Sequence, residues 1–192
     1  MGQHDWLVVG LGNPGKQYER TRHNVGAEAV ELLATRQGTG FTADTKRQAR
    51  VARTGAFLLA VPTTYMNESG IAVRKLADYF NFEPDRIVVV HDELDLEPGV
   101  VKLKVGGGLA GNNGLRSIAA HLKTHDFVRV RIGIGKPPSK EAGAGHVLNR
   151  VPRRERELLD VAVAVAADGV EAIAAEGIAE AMKRLHTRPT PS

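Results

Sequence analysis

The chain has 192 residues and no cysteine, so a thiolate nucleophile, a disulfide framework and thiolate metal ligation are all excluded. Its length suits a single domain with one sizeable core, and no Pro/Ser-rich linker or internal repeat divides it. The net charge is only +4, yet residues 101–156 hold twelve Lys/Arg against three acids, a segment that on charge alone suits a nucleic-acid partner and a solvated basic surface equally.

The N-terminus has no signal-like apolar core, Trp6 stands where an N-myristoylation motif starting at Met1 needs Ser or Thr, and no apolar run reaches membrane-span length. A soluble cytoplasmic protein is the expectation. Leu7-Val8-Val9 reads as a short strand, followed by Gly10, Gly12 and Gly15 in G-x-G-x-x-G form. A dinucleotide loop should pass straight into a helix, with a carboxylate about 20 residues further on to hold the ribose. Here Pro14 stops early winding, and the polar run Lys16 to Arg22 precedes the first helical periodicity, at Val25, Ala29, Leu32 and Leu33. The glycines are therefore read as shaping a turn that holds Asn13 and His23 near one crevice; an NAD-dependent dehydrogenase is the enzyme alternative.

A helix is expected over Val25 to Gln37, ended by Gly38 and Gly40. Arg47 to Arg53 and Ala56 to Val61 form a hairpin across Thr54-Gly55, its first strand exposed. Glu68 to Asn81 reads as a helix with Ile71, Ala72, Leu76, Tyr79 and Phe80 on one side. Ile87 to Val90 is the most apolar β-branched run, hence a central strand buried on both faces that delivers His91-Asp92-Glu93 at its carboxyl end. Ligands of open α/β sheets bind at such ends, so this strand and Leu7 to Val9 should share a crevice that brings Asn13 and Asp92 together. Val100 to Val105 is a further strand, followed by a glycine-rich turn and a helix from Gly114 to Leu122. Phe127 to Ile134 alternates Arg129 and Arg131 with Val128, Val130 and Ile132, one face basic and the other core. Glu155 to Leu185 reads as two alanine-rich helices broken at Gly177, and the tail from Thr187 to Ser192 is expected to fray.

His23 is the first candidate for chemistry, since an imidazole of pKa about 6.5 takes a proton from water near neutrality once its tautomer is set. Asp92 suits the orienting role, although taken alone the two are a surface histidine and a strand-end acid. Asn67-Glu68-Ser69-Gly70 lacks the first glycine of a G-x-S-x-G elbow, so directly activated water is the simpler scheme. Asn13, Asn67 and Asn113 suit it, because a carboxamide donates and accepts hydrogen bonds without adding charge. His91, Asp92, Glu93 and Asp95 match neither a calcium loop nor a zinc-hydrolase helix, and the run Gly106 to Asn113 lacks the Lys-Ser/Thr of a P-loop. Lys104 and Arg131, on neighbouring strands, could grip a phosphate; spacing alone does not separate this from two solvated side chains.

Four ordered stretches resemble one family. Gly10 to Gly15 with Tyr18 and Thr21-Arg22-His23-Asn24, Pro62-Thr63-Thr64-Tyr65-Met66-Asn67-Glu68-Ser69-Gly70, His91 to Leu96, and Gly106-Gly107-Gly108 with Asn113-Gly114-Leu115 are similar to bacterial peptidyl-tRNA hydrolases, closely from about Trp6 to Val147 and loosely beyond. The resemblance implies an esterase that cleaves the bond between a peptide and the 3′ ribose of tRNA, needing no metal or cofactor. His23 would activate water and Asp92 orient it; Asn13, Asn67 and Asn113 would hold peptide and carbonyl, with Tyr18 and Met66 lining the pocket. Lys104 and Arg131 would clamp the tRNA 5′-phosphate. The partner would be the acceptor stem and 3′ end of peptidyl-tRNA, met by a monomer with no membrane attachment. The expected architecture is a single-domain three-layer α/β/α fold over residues 1–187, with a twisted, mixed, mostly parallel central sheet and a disordered tail at 188–192. Leu109, Ala110 and Asn112 depart from the family pattern, which has His or Glu, Gly, and His there, and Ala110 is expected to stiffen the turn. The runner-up from another class is a non-catalytic RNA-binding module, which would use the basic segment without His23 or Asp92.

Overall fold

The structure, a computed structural model, describes residues 4–189. The myristoylation reading at Met1 to Gln3 and the last three residues of the tail lie outside that range. The elements run β1 (Trp6–Gly10), α1 (Val25–Arg36), β2 (Thr42–Asp44), β3 (Ala49–Arg53), β4 (Phe57–Pro62), α2 (Ser69–Phe80), β5 (Ile87–Glu93), β6 (Val101–Val105), α3 (Asn113–Leu122), β7 (Val128–Gly133), α4 (Gly143–Leu148), α5 (Arg153–Glu176) and α6 (Ile178–His186).

The seven strands among the described residues join one sheet in the order β2-β3-β4-β1-β5-β7-β6. The inner pairs β4-β1, β1-β5 and β5-β7 are parallel, while β2-β3, β3-β4 and β6-β7 are antiparallel, so the sheet is mixed with a parallel centre. β1 and β5 lie inside it, and Leu7, Val8, Val9 and Ile87 to Val90 are wholly excluded from solvent. Alternation along both strands splits these residues between two cores. Val8, Val88 and Val90 meet α1, α5 and α6 on one face; Leu7, Val9, Ile87 and Val89 meet α2 and α3 on the other. Each of these side chains contributes about 1.5–3 kcal/mol by leaving water, which is why continuous β-branched runs occupy the two central positions. The result is three layers.

Gly10, which ends β1, and Gly26, in the first turn of α1, serve the packing of helix against sheet. A Cβ on Gly26 would lie 2.1 Å from the Val90 carbonyl oxygen, and one on Gly10 would lie 2.5 Å from the Gly26 carbonyl oxygen. Only residues without side chains allow the first turn of α1 to rest on β1 and β5 this closely. The backbone then continues the strand–helix junction: Leu11 N–H donates to the Val90 carbonyl at 3.1 Å and Ala27 N–H to the Leu11 carbonyl at 3.0 Å.

Several expectations need correction. The first hairpin strand, β3, is not exposed: Ala49 and Val51 join the core under α2 and Ala52 the core under α1, while the short strand β2 pairs along its outer edge. Tyr79 does not join the buried face of α2. It is 62 % exposed, with the Arg47 guanidinium stacked 3.3 Å from its ring centre, while Val73 and Ala77 take the core side with Ala72 and Leu76. The basic face of β7 is not wholly outward either, since Arg129 is only 1 % exposed. The short helix α4, in a glycine-containing segment without apolar periodicity, had no sequence signal.

Candidate active site

After β1 the polar loop closes through two short 3-10 turns, Lys16–Tyr18 and Arg22–Asn24, and the second runs directly into α1. His23 sits on that second turn. Because Gly26 lets the start of α1 settle on Val90, His23 is delivered to Asp92, near the carboxyl end of β5. The His23 Nδ1 lies 2.7 Å from Asp92 Oδ2, with the side chains only 12 % and 2 % exposed. A carboxylate oxygen can only accept here, so Nδ1 carries the hydrogen and Nε2 keeps a free lone pair. Burial pushes the His23 pKa down, but the charge of Asp92 and its hydrogen bond outweigh this and hold it above the ordinary value. The ring is thus oriented and made more basic by a single partner.

His23 and Asp92 open onto a cavity of about 300 Å³. Glu93, Leu94 and the turn Ala110 to Asn113 form one side of it, and Gly143, Ala144 and Val147 of α4 form another. Arg22 ties α4 down: its guanidinium donates to the His146 carbonyl at 2.9 Å and pairs with Glu155. Asn113 is exposed and lines this cavity. Ala110 takes φ +50, a left-handed conformation that glycine tolerates better than alanine, so the turn is held in an unusual backbone state.

Asn13 is placed differently. It lies beyond β1 in a neighbouring cavity of about 470 Å³, with Lys16, Asn24, Arg50 and Thr63. Its side-chain oxygen accepts the Met66 N–H at 2.7 Å, and its backbone exchanges hydrogen bonds of 2.8 and 2.9 Å with the Asn24 carboxamide. The tips of β1 and β5 are neighbours, as read from the sequence, but Asn13 bridges to the Met66 turn rather than to Asp92. Met66 itself is buried, with its sulfur and Leu11 crowding the position of Gly114 on α3. Tyr18 packs edge-on against Tyr65, ring centres 6.5 Å apart, and Asn67 is exposed on the turn between them and α2.

Lys104 and Arg131 share a third cavity of about 220 Å³ with Arg129, Glu93 and Asp95. The β6-β7 register sets Lys104 opposite Arg129 and Lys102 opposite Arg131, so the two clamp residues are diagonal neighbours on one face. Arg131 lies 3.7 Å from Glu93. Burial pushes the Glu93 pKa up, against the Asp95 N–H and the Arg131 charge. This cavity and the His23 cavity have Glu93 and Ala110 as common walls.

Two residues that sequence reasoning did not assign to the site emerge here. Arg129 turns inward and donates to the carbonyls of Gly107 at 3.2 Å, His125 at 2.9 Å and Gly108, pinning the glycine-rich turn to β7. Asn112 reaches Asp92; in the sequence it stood out only as one of the departures from the family pattern, and its place as the N-cap of α3 is seen in the structure. The acidic run on β5 does not converge as a metal site: alternation sends His91 to the face of Val89 and Asp92 to the face of Val88 and Val90. Among the described residues, no group of three or more His, Asp or Glu side chains is placed to hold a metal ion.

A family model described as peptidyl-tRNA hydrolase matches residues 7–192. The chain belongs to the peptidyl-tRNA hydrolase family. It is 48 % identical to a peptidyl-tRNA hydrolase of Cutibacterium acnes, over 95 % of this chain and 98 % of the relative. It is 47 % identical to one of Rhodococcus jostii, over 97 % of this chain and all of the relative. The structure superimposes on a crystal structure of the Acinetobacter baumannii peptidyl-tRNA hydrolase with a TM-score of 0.93 at 40 % identity, covering 100 % of this chain and 98 % of the other. Membership of the peptidyl-tRNA hydrolase family removes the dehydrogenase alternative, in agreement with the packing role of Gly10 and Gly26.

Proposed function

We propose that this chain hydrolyses the ester linking a peptide to the 3′ ribose of tRNA, through water activated by His23 and oriented by Asp92. The observation that carries the mechanism is the 2.7 Å contact between His23 Nδ1 and Asp92 Oδ2, which leaves Nε2 free at the edge of a cavity. Nε2 takes a proton as the water oxygen bonds to the ester carbonyl carbon. Asp92 stabilises the imidazolium that results. The carbonyl oxygen, now carrying negative charge, is met by amide donors, Asn113 from α3 first and Asn13 and Asn67 along the peptide. Collapse of the intermediate breaks the carbon–oxygen bond to the ribose, and the imidazolium returns its proton to the departing oxygen. Peptide and tRNA leave, and no metal or cofactor takes part.

The Lys104 and Arg131 cavity, lined by these two cations and sharing Glu93 and Ala110 with the hydrolytic cavity, lies beside it and supports a phosphate grip there. Tyr18 and Met66 shape the approach through Tyr65 and Asn13. Residues 1–187 act as one catalytic domain, a monomer in the cytoplasm where the substrate is produced. No helix among the described residues is long and apolar enough to cross a membrane. Turnover of N-acetyl-aminoacyl-tRNA tests the reading: the wild type should release the acyl group, and His23→Ala should abolish release while leaving tRNA binding largely intact. Near-normal turnover in His23→Ala would remove the general base.

A further inference from the structure

The hydrogen bonds around Asp92 extend one residue beyond the pair. Asp92 is a buried carboxylate with two oxygens to satisfy; Oδ2 is taken by His23 and Oδ1 faces Asn112. The Asn112 Nδ2 lies 3.3 Å from Asp92 Oδ1 and 3.2 Å from the Asp92 backbone carbonyl oxygen. The other end of the same carboxamide is committed, because Asn112 Oδ1 accepts the Leu115 N–H at 3.0 Å as the N-cap of α3. An amide flip would point its donor end at an N–H donor and its acceptor end at a carboxylate, so the orientation is determined by both partners together. Its backbone is held as well: its N–H donates to the Leu109 carbonyl at 2.9 Å, and its carbonyl accepts the Arg116 N–H at 3.0 Å.

We propose that Asn112 is a positioning residue for the hydrolytic pair, using one carboxamide to hold Asp92 toward His23 and to anchor the glycine-rich turn on α3. This rests on the hydrolase reading above. With Oδ1 engaged, the carboxylate cannot rotate away from Nδ1, and the imidazole it orients stays aimed at the cavity. A neutral amide does this without a second titrating group beside the base. The other charged groups near His23 are occupied elsewhere. Glu93 on β5 faces Arg131 of β7, Arg22 pairs with Glu155 of α5, and His146 of α4 points its Nε2 at the carbonyls of Ile134 and Gly135, 3.2 and 2.9 Å away. His91, next to Asp92 on β5, bonds the Asp92 carbonyl through Nδ1 at 2.8 Å, and burial lowers its pKa to about 4, below the range of the limb. The acid limb of the rate profile therefore reports the His23–Asp92 pair as Asn112 arranges it.

Two variants that retain the cap separate positioning from helix capping. Asn112→Ser still caps α3 but is too short to reach Asp92. Asn112→Asp keeps the acceptor, loses the donor and sets a second carboxylate beside the first. The wild type and both variants are assayed on N-acetyl-aminoacyl-tRNA across pH, and the His23 ring is titrated by NMR in the free proteins. Asn112→Ser is expected to lower kcat roughly tenfold, the loss of one hydrogen bond to a charged group, with KM and Tm nearly unchanged. Asn112→Asp is expected to move the His23 midpoint and the acid limb upward by about one pH unit. Wild-type kcat in Asn112→Ser overturns the proposal, as does an unmoved His23 midpoint in Asn112→Asp. If the wild type fails to turn over the substrate, the hydrolase reading falls, and the NMR titration still decides whether residue 112 acts on Asp92.

Discussion

His23 and Asp92 are 69 residues apart in the chain and 2.7 Å apart in the fold. One arrives on a 3-10 turn and the other on the central strand β5, and Gly26 is the point at which their elements touch. The pair is thus built from a loop and a strand whose relative position depends on how closely a helix can approach a sheet.

The pH dependence of this pair has a definite sign. Burial lowers the His23 pKa and Asp92 more than compensates, so the midpoint between imidazolium and neutral base lies above the ordinary histidine value. The ratio kcat/KM should rise with pH through a midpoint above about 6.5. Asp92→Asn removes the charge and leaves the burial, so the limb should move to lower pH while kcat falls at least about a hundredfold. The raised folded pKa also makes the pair stabilising below about 6.5, a contribution lost as pH rises through that folded value. A limb that stays in place in Asp92→Asn would sink the electrostatic account.

Lys104 and Arg131 are expected to act through charge on a phosphate rather than through base contacts. Lys104→Gln with Arg131→Gln should weaken tRNA binding and reduce the slope of log K against log salt by about one. Filter binding between low and moderate salt checks this, and an unchanged slope would release both residues from the clamp. Turnover at saturating substrate should change less than affinity.

His91 should make the protein sensitive to acid. Its ring is fully buried, burial lowers its pKa from 6.5 to about 4, and its Nδ1 sits 2.8 Å from the Asp92 carbonyl. Between those two values the unfolded chain binds the proton that the folded chain refuses, so this group's contribution is full above about 6.5 and falls as pH drops. The loss approaches about 3 kcal/mol near pH 4. Urea denaturation of wild type and His91→Leu from pH 4 to 7 should show a flatter dependence in the variant.

Gly26→Ala should be more damaging than its one methyl group suggests. The added Cβ would lie 2.1 Å from the Val90 carbonyl oxygen, so α1 must lift from the sheet. The expected cost is about 3 kcal/mol of stability, with loss of turnover as His23 withdraws from Asp92. A variant that keeps wild-type Tm and kcat would show that the helix approach is not what places the base.

Much of the fold was legible in the chain because its signals are local. Ile87 to Val90 announced a doubly buried strand, the break at Gly177 separated α5 from α6, and Asn81 closed α2 in a left-handed conformation at φ 60. Strand β2, three residues long and edge-placed, and the glycine-containing α4 carry no such periodicity, so neither could be seen. The site divided in the same way: His23, Asp92 and Asn113 reached one cavity, whereas Asn13 reached the next, because its carboxamide is claimed by Met66.

By itself the sequence determined which segments form strands and helices and which four motifs mark the family, since hydrophobic period and turn chemistry depend on near neighbours. Tertiary structure alone decided that Tyr79 faces water, that Arg129 folds inward onto the Gly107 and Gly108 carbonyls, and that Asn112 reaches Asp92. Those outcomes depend on strand register and on how near two distant backbones can come, and no local pattern encodes either quantity.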